Sequence, residues 1–553
     1  MLLAQAIKVL HEQLQDSSRW AGTLCQDPVL MEQTAMISLH ILSQVLESQE
    51  PNGSWSNIYE TTAYAILILS SLLHLPWVRS VAKATVMARI QHGRFFLKEH
   101  RKQWKNGEYL WIEKVTYASD VLSEAYSLAA MIAAVEPKDP RARSELLSLP
   151  QGVNSAIKRA GSLLGQTILF SSFDQQLLHA AEIQACYAFQ HLEKRRLDIF
   201  PRTSMGKDRY LSFIPLTWTA CSMRRGGPVS LDVLKDMMIL SMLNYQVDEY
   251  MEIVVGWDFT GDFRQVRHLI KSLCFTHSLA LKTDNTRMDE DPISTSQKTA
   301  SDGNRTVLDE IKLVLGRYIS YILQHPAVVS CPADIQTRLA AEVQTFLLAH
   351  VTHAVDNRRL QRQQTATCQS SPWVPLVDSA PLACFNPGQS FYKWVNSVSA
   401  DNTSCPFSFV FFNCLLGPSC REVWENVQTA YVAEDMTRHL ANLCRMYNDY
   451  GSMSRDRDEC NLNSVDFPEF HISADDGHLP AEDITQRVKS KLMEVAEYER
   501  RALNQAFQEL ENTVGSGKFI NAVKLFIDVT DLYGQIYVQR DIATPMRSNG
   551  KKE

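Results

Sequence analysis

Twelve cysteines are scattered through the 553-residue chain, but none forms a Cys-x-x-Cys pair or a Cys/His spacing suited to zinc. That removes the sequence case for a structural zinc site. No signal-peptide pattern is evident, so free thiols in a reducing, cytoplasmic setting are the expectation. Positive charge is also in short supply. Lys and Arg number 55 against 62 Asp and Glu, for a formal net charge of −7, and no basic stripe is present; nothing here would select nucleic acid. Long apolar runs are missing too. The longest, Ala63 to Trp77, contains Tyr64, Ser70, Ser71 and His74 and falls short of the ~20 residues that span a bilayer, so no transmembrane segment is expected. Runs of strict alternation are lacking, which argues against strands, and no repeat of solenoid type is found.

What is there is helical periodicity from end to end, with 45% hydrophobic and 21% charged residues, enough to build a large core. The fold class expected is all-α. Apolar spacing predicts helices over about 2–15, 28–48, 59–75, 80–99 and 119–135, a second group within 152–282, then 307–324, 332–356, 419–457, 481–512 and 517–539. Residues 283–306 and 357–390 carry little to bury and read as loops. Phe391 to Leu416 is aromatic but interrupted at Asp401 to Pro406, where the proline predicts a broken helix. Gln49 to Trp55 reads Gln-x3-Gly-x-Trp. There glycine permits a tight turn, tryptophan offers a stacking face, and glutamine can bond the end of a neighbouring helix.

The most informative stretch is Leu231 to Val255. It is apolar almost all the way round, through Val233, Leu234, Met237, Met238, Ile239, Leu240, Met242 and Leu243, so it predicts a buried helix. It then runs into Asp248-Glu249-Tyr250-Met251-Glu252. Asp248 and Glu252 share a face, and no cation stands three or four residues away. Like charges at that spacing cost roughly 0.2–0.5 kcal/mol even in water, and more when buried. A divalent cation is the natural compensation.

A second constellation lies in the helix expected over 419–457. Asn448, Ser452 and Asp456 recur every four residues and form a stripe ~12 Å long at ~1.5 Å per residue. All three offer the oxygen ligands magnesium prefers. Arg445 and Arg455 flank the stripe and are candidates for meeting an anion held by that metal. On the stripe alone, an exposed helix end laced with Arg–Asp pairs is the leading reading.

Taken together, the two helices resemble those of class I terpene synthases. Asp248-Glu249-x-x-Glu252 is similar to the family's Asp-Asp-x-x-Asp, and Asn448-Asp449-x-x-Ser452-x-x-Arg455-Asp456 to its Asn-Asp-x-x-Ser-x-x-Lys-Glu. The Gln-x3-Gly-x-Trp turn resembles that of the α/α-barrel cyclases. Further stretches narrow the resemblance to the fungal bifunctional copalyl diphosphate and kaurene synthases: Glu60 to Leu67, Tyr109 to Val115, Leu122 to Tyr126, Phe213 to Cys221, Asn244 to Glu249 and Arg445 to Ser452. It covers nearly all of this chain but only the later part of a full family member.

The resemblance implies a class I helical bundle over 150–545, preceded over 1–135 by a partial α/α-barrel of class II type. It implies a Mg²⁺-dependent diterpene cyclase in which Asp248, Glu249, Glu252, Asn448, Ser452 and Asp456 hold metal and Arg445 and Arg455 meet diphosphate. Phe407, Phe409 and Tyr245 are candidates to steady a carbocation, with plain core as the other reading. The acidic Asp-x-Asp-Asp motif of the class II reaction is absent; Asp475-Asp476 follow Ser473-Ala474. The expected substrate is therefore a copalyl diphosphate made by a separate class II cyclase. Geranylgeranyl diphosphate is the alternative substrate, and a non-catalytic partner of a class II cyclase the alternative role.

Overall fold

A computed structural model describes residues 1, 4–5, 28–112, 115–135, 151–195, 199–200, 209–280, 302–369, 388–417, 424, 426–470, 481–515 and 517–540. Most of the helix expected at 2–15, residues 283–301 and 370–387 of the two expected loops, the pair Asp475-Asp476 and the tail from Pro545 lie outside the described residues. By compactness the chain divides into one unit of Met1–His191 with Ser212–Lys235 and another of Leu192–Leu211 with Asp236–Glu553. Both are helical, and no described helix is long and apolar enough to cross a membrane.

The first unit contains α1 (Pro28–Glu47), α2 (Tyr59–Leu72), α3 (Pro76–Glu99), α4 (Asp120–Ile132), α5 (Gln151–Leu164), α6 (Gln175–Arg195) and α7 (Phe213–Arg224). Pro76 opens α3, where its missing N–H costs nothing. Ser119 caps α4 by accepting from the Leu122 N–H, satisfying one orphan donor. The Gln49–Trp55 turn is built as its residue types require. Gly53 takes φ +90, and a Cβ there would stand 2.6 Å from the His92 carbonyl oxygen. The buried Trp55 donates from Nε1 to Val45 O at 2.7 Å. Gln49 donates to Gly53 O and to Arg89 O, both at 3.0 Å. Arg89 lies within α3, so the glutamine ties the turn to the flank of a helix and not to its end.

Two expectations need correction. A small antiparallel hairpin pairs β1 (Leu110–Ile112) with β2 (Val115–Tyr117), although no strand is expected from alternation. Three residues per strand are too few to show a period of two; the β-branched and aromatic residues, Trp111, Ile112, Val115, Thr116 and Tyr117, were the available signal. The helix expected at 332–356 instead continues as Ala333–Gln369. From Val355 to Gln363 only Leu360 is buried, so apolar spacing fades while the Arg and Gln residues there remain good helix formers.

In the second unit, α8 (Leu231–Tyr250) enters from the first and gives way to a π-helical stretch, Met251–Asp258. Then follow α9 (Phe263–Ala280), α10 (Asp302–Leu323), α11 (Pro326–Val329), α12 (Ala333–Gln369), α13 (Phe391–Trp394), α14 (Ala400–Asn402), α15 (Cys405–Leu415), α16 (Val427–Glu459), α17 (Ala481–Val514) and α18 (Lys518–Gln539). Helix α16 packs on α17 and α18, while α12 packs on α9, α15 and the π stretch. The chain breaks between α14 and α15, where Thr403 is extended (φ −76, ψ 145); this is the interruption that Pro406 predicts. Buried Phe407, Phe409, Phe411 and Phe412 fill the core below it. As expected, Val233, Leu234, Met237, Met238, Ile239, Leu240, Met242 and Leu243 of α8 are all buried.

Candidate active site

The acidic cluster sits where α8 changes its winding. Asp248 and Glu249 belong to the last α turn and Glu252 to the π stretch. Buried Met251 and Val255 fix the apolar side of that stretch. The wide turn closes with Phe259 N donating to Val254 O at 2.9 Å, five residues back. From α12, Arg358 donates to Gly256 O at 3.0 Å and to Phe259 O at 2.7 Å, with its guanidinium 4.2 Å above the Phe263 ring. This clamp occupies carbonyls that the π winding and the helix end leave without helical partners. π-turns of this kind are frequent at functional sites.

The second constellation lies on α16. Ser452 donates from Oγ to Asp456 Oδ2 at 2.5 Å and stands 3.5 Å from Asn448 Oδ1, so the three sequence-expected side chains form one row. Gly451 beside them is a contact residue: a Cβ there would lie 2.1 Å from Tyr537 O of α18. The chain then turns back on itself. Cys460 adopts φ 56 at the helix end, a conformation glycine usually supplies. Asn463 donates from Nδ2 to Asp456 Oδ2 at 2.8 Å and to Asp449 O at 2.9 Å, and Ser464 N donates to Asp449 Oδ2 at 2.7 Å. Asp449 is thus a fully buried anchor, paired also with Arg445 Nε at 2.9 Å.

The two expected arginines both make ion pairs on α16. Arg445 is engaged throughout: besides Asp449, it donates from Nη2 to Leu462 O at 2.8 Å, reaches Asn402 from Nη1 at 3.4 Å, and lies 5.3 Å over the Trp394 ring. Arg455 pairs along its own helix, 3.2 Å from Glu459 and 3.6 Å from Asp456.

The two constellations lie within electrostatic reach of one another. Burial pushes the Asp248 carboxyl up to about 6; Glu249 and Asp456 raise it as well, while Arg445 and Arg455 pull it down. Glu252 is raised well above the ordinary range, chiefly by burial and then by Asp248. Burial likewise lifts Asp456 to about 6, against the pull of Arg455. Charges of α16 therefore act directly on α8. Asp248 is walled in by protein, yet half of its side-chain surface faces open space. Carboxylates held this way are under-compensated and suited to a cation.

Among the described residues, no group of three or more His, Cys, Asp or Glu side chains could by itself hold a metal ion. That is compatible with magnesium. Mg²⁺ keeps several waters and is bound through one or two carboxylates plus substrate phosphates, not by an all-protein cage. Asp248 with Glu252 on one side, and Asn448, Ser452 and Asp456 on the other, are two incomplete oxygen half-sites. Glu249 is buried beside them.

Sequence reasoning missed the contribution of α12. His350 lies with Nδ1 3.6 Å from Asp248 Oδ1 and 3.0 Å from Asn402 Nδ2. Burial, and then Arg445, push it down to about 3, so it is neutral. His353, one turn on, is lowered by burial, Arg445 and His350. A cavity of about 380 Å³ opens between α12, the π stretch and the turn after α16, with both histidines and Glu252 in its wall. His350 and His353, three apart in the mostly apolar run Phe346 to Val355, were the available signal. Of the aromatic candidates, Phe407 packs against Phe346 at 4.9 Å and Phe409 against Phe526 at 5.4 Å, while Tyr245 stacks on Tyr210 at 4.5 Å.

No protein-family model matches the chain. Among curated proteins it is 35% identical to the pimaradiene synthase of Emericella nidulans, an alignment covering 90% of this chain and 50% of that protein. It is 31% identical to the ent-kaur-16-ene synthase of Fusarium fujikuroi, covering 92% of this chain and 52% of the relative. It is also 31% identical to the phyllocladan-16-alpha-ol synthase of Phomopsis amygdali, covering 89% and 50%. The chain spans about half the length of the curated relatives it matches.

Proposed function

Because the chain is a homologue of the fungal diterpene synthases, we propose that it is a Mg²⁺-dependent class I diterpene synthase, a lyase. It ionises a copalyl diphosphate and cyclises the carbocation to a diterpene hydrocarbon or alcohol. In this reading residues 150–545 are the catalytic bundle and residues 1–135 a partial α/α-barrel of class II type. The observation that carries it is that Asp248 of α8 lies within electrostatic reach of Arg445, Arg455 and Asp456 of α16.

Asp248 and Glu252, with Glu249 beside them, would hold metal from the α8 side, and Asn448, Ser452 and Asp456 from the α16 side. Bound magnesium supplies Lewis-acid neutralisation of the leaving diphosphate's charge. The chain's own residues do the remaining work. Asn463 orients Asp456, and Asp449 with Arg445 fixes the helix that presents Asn448 and Ser452. Arg455 is placed to reach a diphosphate oxygen, where a guanidinium can bind in a fork; Arg445 adds positive charge from its locked position. A carbocation requires a dry surface, and Phe407, buried against Phe346, is a candidate to supply part of it. Aromatic faces steady a cation by roughly 0.5–2 kcal/mol each.

These 553 residues carry no Asp-x-Asp-Asp acid, so the site they build would act on a substrate already made bicyclic by a class II site elsewhere. The test is incubation of purified protein and Mg²⁺ with ent-, syn- and normal-copalyl diphosphate and with geranylgeranyl diphosphate, followed by gas chromatography. A diterpene from one copalyl isomer is expected. A bicyclic diphosphate made from geranylgeranyl diphosphate would overturn the reading that the class II acid is missing, and no product from any substrate would overturn the class I assignment.

A further inference from the structure

The cavity beside Glu252 is polar, unlike the wall a hydrocarbon cation needs. Glu252, His353, Asn357, Arg358, Arg362 and Asn461 all contribute to its lining. Most of these are engaged. Asn357 donates from Nδ2 to Asn461 Oδ1 at 2.9 Å and accepts from Leu462 N at 2.9 Å. Arg358 is held by the carbonyls of Gly256 and Phe259. His353 differs: it is only 5% exposed, lines the cavity, and makes no hydrogen bond to any described residue. Its imidazole borders the cavity, where water or a ligand oxygen can meet a ring nitrogen.

What would occupy it follows from the surrounding charge. Glu252 alone would repel an anion, but a carboxylate that holds a cation draws one in, and Arg362 stands exposed at the rim. His353 is neutral through burial and the nearby Arg445. It can therefore give an N–H without adding a positive charge that would compete with the ions at Asp248 and Glu252. We propose that His353 is a diphosphate-contacting residue, donating a hydrogen bond to a non-bridging oxygen of the diphosphate as it leaves the substrate. This deepens the proposed function and rests on it. Arg358 is a positioning residue in the same wall, since its bonds set the far end of the π stretch that carries Glu252.

The test is calorimetric binding of inorganic diphosphate in the presence of Mg²⁺ to the full chain, independent of turnover. Substitution H353F keeps the ring's shape and removes its donors; H353Q keeps an amide donor. The expected result is a loss of about tenfold or more in diphosphate affinity for H353F and recovery of most of it in H353Q. Diphosphate affinity unchanged in H353F overturns the proposal, as does an H353Q variant that folds like the parent yet binds as weakly as H353F. D248N separates the two readings. If the parent binds Mg²⁺-diphosphate and D248N does not, the metal site stands whatever His353 does. If the parent binds none, the site reading falls and His353 with it.

Discussion

Replacing Gly451 with alanine sets two effects of opposite sign against each other. In an exposed helix interior, Gly→Ala stabilises by roughly 0.5–1 kcal/mol through backbone entropy and propensity. At Gly451 the added Cβ would stand 2.1 Å from Tyr537 O and 2.9 Å from its carbonyl carbon. Those are backbone atoms inside α18 and cannot swing aside. The seam is reciprocal, for a Cβ on Gly534 of α18 would lie 2.3 Å from Tyr447 Cδ2 of α16. Overpacking of this kind costs about 1–3 kcal/mol, so G451A should lose roughly 0.5–2 kcal/mol net. Gly316 of α10 is the matched control: its nearest neighbour would be Leu273 Cδ2 at 3.7 Å, ordinary contact. G316A should be neutral or stabilising by up to about 1 kcal/mol. Equilibrium urea unfolding of both variants, followed by circular dichroism, compares them directly. Gly451 also adjoins Ser452, so G451A should weaken Mg²⁺-diphosphate binding while G316A leaves it alone. A G451A protein as stable as G316A would refute the contact argument and leave propensity as the whole explanation.

Further outcomes are expected from the same geometry. N463A, which removes the donor that orients Asp456, should reduce Mg²⁺ affinity by about 10–100-fold; a metal titration matching the parent's would count against the return turn as a support for the site. D248N should abolish product formation and the Mg²⁺-dependent rise in melting temperature together, and products persisting unchanged would sink the metal assignment. The third concerns pH. His439 is raised above its ordinary value, chiefly by its hydrogen bond to Glu499 at 2.6 Å, against the effect of burial. A raised histidine contributes stability that is complete below about pH 6.5, its unfolded value, and is lost as pH climbs through the folded one. The melting-temperature difference between the parent and H439Q should therefore shrink from pH 6 to pH 9; a constant difference would show that the pair is not titrating.

Most helices were legible because their apolar spacing and their burial have one cause. Met237, Leu240 and Leu243 are spaced for burial and are buried. The two constellations were legible for a different reason: Asp248 with Glu252, and Asn448 with Ser452 and Asp456, are costly in a buried helix without a ligand. What lay hidden depends on backbone geometry or on distant partners. Met251 to Asp258 reads as more α-helix, since nothing in Ile253-Val254-Val255 specifies a wider turn; the Arg358 clamp a hundred residues away completes it. Asp449 shares a motif with Asn448 and Ser452, and only Ser464 and Arg445 mark it as an enclosed anchor. The need for glycine at 451 is set by a carbonyl of α18.

The wider turn also separates two things that a uniform helix would lock together. In an α-helix each residue advances the rotation by about 100°, so gaining or losing one residue swings every later side chain to another face. A π stretch is a local reserve of winding that can take up such a change. Beyond Gly256, the helix can therefore drift in sequence and phase over evolutionary time while Asp248 and Glu249 stay aimed by the α turns before it. Glu252 falls at the start of that reserve, where its carboxylate has a latitude that its two neighbours in the motif lack. The spread of metal-side carboxylate types at this position among homologues should accordingly be wider than at Asp248.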